Sequence, residues 1–197
     1  MIGNDIVDFE DPEAQPTGTH PRFDQRAFSD DERKAILQSG DSVRERWVLW
    51  AAKEAAYKLL RATDPTTVFS PPRFEVTRAG PSRASVRFGD RILSVDLEIR
   101  RGSVHAVARS EGRRRIVSAT ARHHGADPSR SVRALAIDAV APYLGAAPEE
   151  LRIEREQGRP PVLFDKDQPI DSALSLSHHG RFVAFACELP PGAGWSS

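Results

Sequence analysis

The chain has 197 residues, 39% of them hydrophobic, which suffices for one large domain or two small lobes with a real core. Lysine plus arginine equals aspartate plus glutamate at 28 each, so no global field draws in nucleic acid or an anionic membrane, and any anion site has to be local. The single cysteine, Cys187, excludes an internal disulfide and a cysteine-built metal cluster; no basic leader opens the sequence and no run reaches the roughly 18 apolar residues of a membrane span. A cytoplasmic protein with neither a nucleic-acid nor a membrane partner is expected.

Residues 2–9 read as a short strand ending in acidic residues, followed by a Pro/Gly-punctuated loop over 11–21. Residues 22–38 read as two helical pieces, the second opened by Ser29 with Glu32 three positions on, a capping box. Gly40-Asp41 breaks this run, and a longer helix is expected over 42–60. Strand-like runs follow at 73–78, 84–88, 92–99 and 104–108, with Gly89-Asp90 as a turn. Residues 110–130 read as a linker holding at most a short strand at 116–119. Helical periodicity resumes from Val132 to Leu144 and stops at Gly145; 151–154 is extended, and Gly158-Arg159-Pro160-Pro161 forms a rigid corner. Two apolar runs, 173–176 and 182–187, are separated by Ser177-His178-His179-Gly180, read as a turn. Gly102 to Ala108 echoes Gly180 to Ala186 in its glycine and two alanines. With the central linker, this suggests two related lobes, 1–109 and 131–197.

The most informative stretch is Trp50 to Lys58. At about 100° per residue, Val48, Leu49, Ala52, Ala55, Ala56, Leu59 and Leu60 fall on one face. Trp50, Lys53, Glu54, Tyr57 and Lys58 fall on the other, giving a carboxylate flanked by two ammonium groups and two aromatic rings. An exposed i, i+4 Glu–Lys pair is the ordinary explanation. Asp5, at the end of the first strand, is ordinarily a turn cap; with Glu54 it could hold Mg²⁺ through two oxygens and leave positions for water and phosphate. Asp8 and Glu10 are candidates for a third ligand, Asp8 the weaker because alternation turns it away from Asp5. Ser177-His178 offers a hydroxyl and an imidazole suited to phosphate oxygens; a Ser–His nucleophile is disfavoured because no Gly-x-Ser-x-Gly elbow is present. Gly158-Arg159-Pro160 could press a proline on a base while Arg159 pairs with phosphate. Arg113, Arg114 and Arg115 read as solvated linker charge, whereas Arg130 and Arg133, at the start of the second-lobe helix, suit an anion. His123-His124 reads as surface.

Taken together, Ile2-Gly3-Asn4-Asp5-Ile6-Val7-Asp8, Arg22-Phe23 through Phe28-Ser29 and Glu32, Trp50-x-x-Lys53-Glu54-Ala55-x-x-Lys58, Gly158-Arg159-Pro160 and Ser175-Leu176-Ser177-His178 resemble the 4′-phosphopantetheinyl transferase superfamily. The resemblance implies an α/β (α+β) fold of two similar lobes, each a small antiparallel sheet packed with helices. In two-lobed members the Gly-Arg/Lys-Pro and Ser-His segments come first; here they come last, so a circularly permuted monomer is expected, with a trimer carrying a long insertion as the alternative. The implied reaction moves 4′-phosphopantetheine from coenzyme A to a serine of an acyl or peptidyl carrier protein and releases adenosine 3′,5′-bisphosphate. In it Asp5 and Glu54 hold Mg²⁺, Lys58 neutralises phosphate charge, and Glu54 is the base, directly or through water. Ser177 and His178 contact coenzyme A phosphates, with Gly158, Arg159, Pro160 and Arg130 or Arg133 around the nucleotide. Trp50 is expected to pack the helix into the lobe interface, and Asn4 stands where the family has an apolar residue. A silent module that binds coenzyme A or a carrier protein, and an interaction protein using Arg113–Arg115, are the rivals.

Overall fold

The computed structural model describes residues 1–110, 112 and 114–193. Its first half is a five-stranded antiparallel sheet with strands β1 (Ile2–Asp8), β2 (Glu75–Arg78), β3 (Arg83–Phe88), β4 (Arg91–Ile99) and β5 (Ser103–Arg109) in the order β1-β5-β4-β3-β2. The helices α1 (Phe23–Ala27), α2 (Asp30–Gln38) and α3 (Ser42–Thr63) precede β2. The capping box forms as the sequence predicts, Ser29 Oγ accepting from Glu32 N at 3.3 Å and Glu32 Oε2 accepting from Ser29 N at 2.7 Å.

Helix α3 crosses β1 and β5, and small side chains set how closely. Ala51, Ala52, Ala55 and Ala56 are wholly buried. A Cβ on Gly3 would lie 2.2 Å from the Ala55 carbonyl oxygen and 2.5 Å from Leu59 N. Glycine at this position is therefore what lets the helix backbone rest on the strand. Gly3→Ala should cost about 1–3 kcal/mol or more by overpacking, read from the urea midpoint.

The second half contains β6 (Ile116–Arg122), α4 (Pro128–Leu144), β7 (Leu151–Glu154), β8 (Val162–Asp165), β9 (Gln168–Pro169), β10 (Ala173–His179) and β11 (Phe182–Glu188). These strands form two three-stranded sheets, β10-β11-β6 and β7-β8-β9. Helix α4 starts on Asp127, whose side chain accepts from Arg130 N, with Pro128 at its first position, and ends on left-handed Gly145. Its Val132, Ala136 and Val140 pack with Val183, Phe185 and Cys187 of β11.

Two expectations need correction here. The strand inside the stretch read as linker runs on to Arg122 and pairs with β11 along its whole length. Its Val117, Ala119 and Ala121 pack against the second core, an alternation hidden by the surrounding charge. Ser177 and His178 lie in β10 rather than in a turn; the reversal comes at Gly180, where φ is +52° and a Cβ would meet the Asp8 carboxylate at 2.6 Å. Strands β8 and β9 were not foreseen.

The two halves meet sheet to sheet. Ile6 packs with Phe182 and Ala184, and Ile2 with Val107 and Ala186, so β1 and β11 stack and are each buried on both faces. The layers run α3, five-stranded sheet, three-stranded sheet, α4. This mixed α+β architecture, with three small antiparallel sheets and four helices among the described residues, agrees with the fold that the resemblance implies. Alongside the stack, β10 covers the free edge of β1 with side chains: Asn4 N donates to Ser175 Oγ at 2.9 Å, Ile6 N to Ser177 Oγ at 3.1 Å, and Asp8 N to His179 Nδ1 at 3.1 Å. These rungs satisfy an edge that would otherwise be open to pairing.

Candidate active site

Asp5 sits at the centre of β1 rather than at its end, 9% exposed and facing α3. Its Oδ1 accepts from Lys58 Nζ at 2.7 Å and from Ser177 Oγ at 3.0 Å, and Lys58 also donates to the Asn4 carbonyl at 3.0 Å. Glu54 lies one helical turn before Lys58 and is mostly buried. Its carboxyl is pushed up to about 7, first by burial and then by the negative charge of Asp5, with Lys58 opposing both. Two carboxylates near enough for the charge of one to raise the pKa of the other offer the oxygen donors that a hard divalent cation takes.

The other acids do not fit it as well. Asp8 faces the opposite side of β1 and takes both arms of Arg181, at 2.8 and 2.7 Å, while Glu10 takes a third contact from the same guanidinium. Burial works against ionisation of Asp8, but the hydrogen bonds from Arg181 outweigh it and hold the carboxyl below its ordinary value. Both carboxylates are thus engaged by Arg181. Asp11, Glu13 and His179 also converge. However, Asp8 N–H occupies His179 Nδ1, which leaves the proton of the neutral ring on Nε2 and no free lone pair for a metal.

The helix face divides more sharply than its periodicity predicts. Lys53 is fully buried on the far side from Asp5, donating to Glu32 at 2.7 Å and to the carbonyls of Pro71 and Phe74 at 3.0 and 2.6 Å. Burial lowers its ammonium pKa and Glu32 partly restores it. Trp50 packs among Phe23, Trp47 and Phe69 in the first lobe, not at the lobe interface. Asn4 is accommodated by a buried partner: its Nδ2 lies 3.0 Å from Nε2 of His105, whose pKa burial lowers to about 4.

A cavity of about 520 Å³ opens beside Lys58, between the C-terminal half of α3 and the corner at Gly158, Arg159, Pro160 and Pro161, with Ser175 on its wall. Sequence reasoning missed Arg61 and Arg155, which also line it. Arg61 had a signal in its spacing, four residues after Tyr57, whose hydroxyl it reaches at 2.7 Å. His178 points to the other face of β10 and is largely exposed; partial desolvation, and then the positive charge of Lys58, lower its pKa. Arg130 and Arg133 do not line the cavity; they sit in the first turns of α4, Arg133 donating to the Ser129 carbonyl at 2.9 Å. Arg114 pairs with Asp171 and Arg115 lies over the Tyr143 ring, which commits both to the fold; Arg113 lies outside the described residues. His123 contacts the Gly180 carbonyl.

No helix among the described residues is long and apolar enough to cross a membrane. No curated protein matches the chain. A sequence model of the 4′-phosphopantetheinyl transferase superfamily matches residues 1–116. The match takes in Asp5, Glu54 and Lys58 and ends on the first residue of β6, so the cavity corner and the Ser-His segment lie outside it. With more than half of its length matched, the chain belongs to the 4′-phosphopantetheinyl transferase superfamily and is by that membership a phosphopantetheine transferase.

Proposed function

We propose that the protein moves 4′-phosphopantetheine from coenzyme A to a serine hydroxyl of an acyl or peptidyl carrier protein, releasing adenosine 3′,5′-bisphosphate. The observation that carries this reading is Lys58, which lines the cavity beside Gly158–Arg159–Pro160 and is bonded to Asp5. One residue thus joins a nucleotide-sized space to a pair of carboxylates. In this reading Pro160 and Tyr57 offer flat apolar surface to the base, while Arg159, His178 and, from the start of α4, Arg130 and Arg133 meet phosphate oxygens. Asp5 and Glu54 hold Mg²⁺, which when bound supplies charge neutralisation at the pyrophosphate. Glu54, directly or through a water, takes the proton of the carrier serine. The serine oxygen then bonds to the β-phosphorus, the bridging P–O bond breaks, and its electron pair leaves with the adenosine bisphosphate. Lys58 offsets the charge that grows on those oxygens.

We further propose that the molecule works as a monomer of two lobes, residues 1–109 and a second lobe that takes in β6 as well as residues 131–197, permuted relative to two-lobed members. The stacking of β1 on β11 supports this order, since rejoined ends have to be near in space. A cytoplasmic location fits the lone, buried Cys187.

The test is Mg²⁺-dependent release of adenosine 3′,5′-bisphosphate from coenzyme A on addition of an apo carrier protein. A silent binding module would bind coenzyme A and release nothing. His178→Ala and Arg159→Ala should each weaken coenzyme A binding by roughly 1–1.5 kcal/mol, about five- to tenfold in Kd, at the low end for charge-assisted contacts because both side chains start exposed. Unchanged calorimetric affinity in both would remove them from the site.

A further inference from the structure

We infer that Ser177 is a positioning residue for Asp5 rather than a contact to coenzyme A. This rests on the reading of Asp5 as a ligand for a divalent cation. A serine hydroxyl has one proton to give and two lone pairs. In Ser177, 5% exposed, the proton goes to Asp5 Oδ1 at 3.0 Å and a lone pair takes the Ile6 N–H at 3.1 Å. The remaining face of the oxygen lies 3.5 Å from Lys58 Nζ. A phosphate oxygen needs a donor, and Ser177 has none left unless it releases Asp5.

The same contacts orient the carboxylate. Lys58 and Ser177 both grip Oδ1, and no hydrogen bond among the described residues engages Oδ2. The carboxylate is therefore pinned by one oxygen with the other left available to a cation. The pin comes from β10, in the opposite lobe from β1 and α3. Seating of the two lobes is thus written into the geometry of Asp5 by a single hydroxyl.

The experiment follows Mn²⁺ binding to the coenzyme-A-free protein by electron paramagnetic resonance, beside coenzyme A affinity by calorimetry and steady-state transfer rates. Ser177→Ala should weaken Mn²⁺ binding about tenfold and lower kcat with KM for coenzyme A within twofold of wild type; Ser177→Thr, which keeps the hydroxyl, should recover most of both. Ser175→Ala removes an equivalent rung to β1 without touching Asp5 and should leave Mn²⁺ affinity unchanged, which separates positioning from loss of the strand contact. Should Ser177→Ala fail to fold, Ser177→Thr against Ser177→Val gives the same contrast. A coenzyme A Kd weakened fivefold or more with Mn²⁺ binding intact overturns the inference while leaving the transferase reading standing. Loss of Mn²⁺ binding in a protein whose wild type transfers nothing supports the inference and overturns that reading instead. Wild-type protein that binds no Mn²⁺ overturns the inference, and the transferase reading is then decided by whether that protein releases adenosine 3′,5′-bisphosphate.

Discussion

Glu54→Gln should lower the transfer rate by about 10²–10⁴-fold, the range expected when a general base is removed, and the loss of a charged cation ligand adds to it. The same substitution should stabilise the protein without Mg²⁺ at pH 8 and leave it nearly unchanged at pH 4. Burial and Asp5 raise the folded-state pKa of Glu54 from an ordinary 4.5 to about 7. The folded state therefore favours the protonated carboxyl, and that contribution is complete below about pH 4.5 and is lost as pH rises through about 7. Above that range the ionised Glu54 costs on the order of 2–3 kcal/mol, which an uncharged glutamine avoids. Thermal melts of both proteins at pH 4 and 8 check this, and Mg²⁺ should narrow the gap by stabilising the wild type alone. An equal difference in melting temperature at both pH values would show that the carboxyl does not titrate as described.

The second large effect concerns stability. Lys53→Met should cost about 3–5 kcal/mol, because it leaves the Glu32 carboxylate buried without its countercharge and orphans the carbonyls of Pro71 and Phe74. Adding Glu32→Gln should recover a large part of that loss, since the uncompensated charge is the main penalty. Denaturant midpoints of the two single variants and the double variant measure the coupling. Losses that simply add would mean the pair is not energetically linked. Glu32 also accepts from Ser29 N and Val76 N, so it ties α2, α3 and β2 together. Lys53 thereby fixes the helix on which Glu54 and Lys58 ride.

Much of the first lobe was legible because its signals are local. The Ser29 capping box, the Gly89 turn and the alternation in β3 and β4 each need only a few neighbouring residues. The depth of a helical face is not local. Lys53 and Lys58 share one polar arc on a wheel, yet a partner from α2 buries the first and a strand carboxylate holds the second. The same limit hid β10. Ser177 and His179 look like a polar turn, and Ser175 like part of an apolar run, until β1, about 170 residues earlier, is set beside them, when their alternation becomes a row of caps for its free N–H groups. The carboxylates and Lys58 could be picked out because Glu54 and Lys58 share one arc of α3 and Asp5 lies in the strand motif that carries the resemblance. Arg61 and Arg155 could not be joined to them, because only the tertiary fold brings the Gly158 corner against α3.

The central claim is that β1 and α3 build a transfer centre that opens onto the cavity walled by the Gly158 corner. A crystal structure with coenzyme A and Mg²⁺ bound tests it most directly. The account predicts the nucleotide against Pro160 and Arg159, the pyrophosphate beside Lys58, and the cation on Asp5 and Glu54. Coenzyme A bound elsewhere, for instance in the groove between β4 and β6 near His105 and Arg109, with Asp5 and Glu54 touching neither cation nor phosphate, would contradict it.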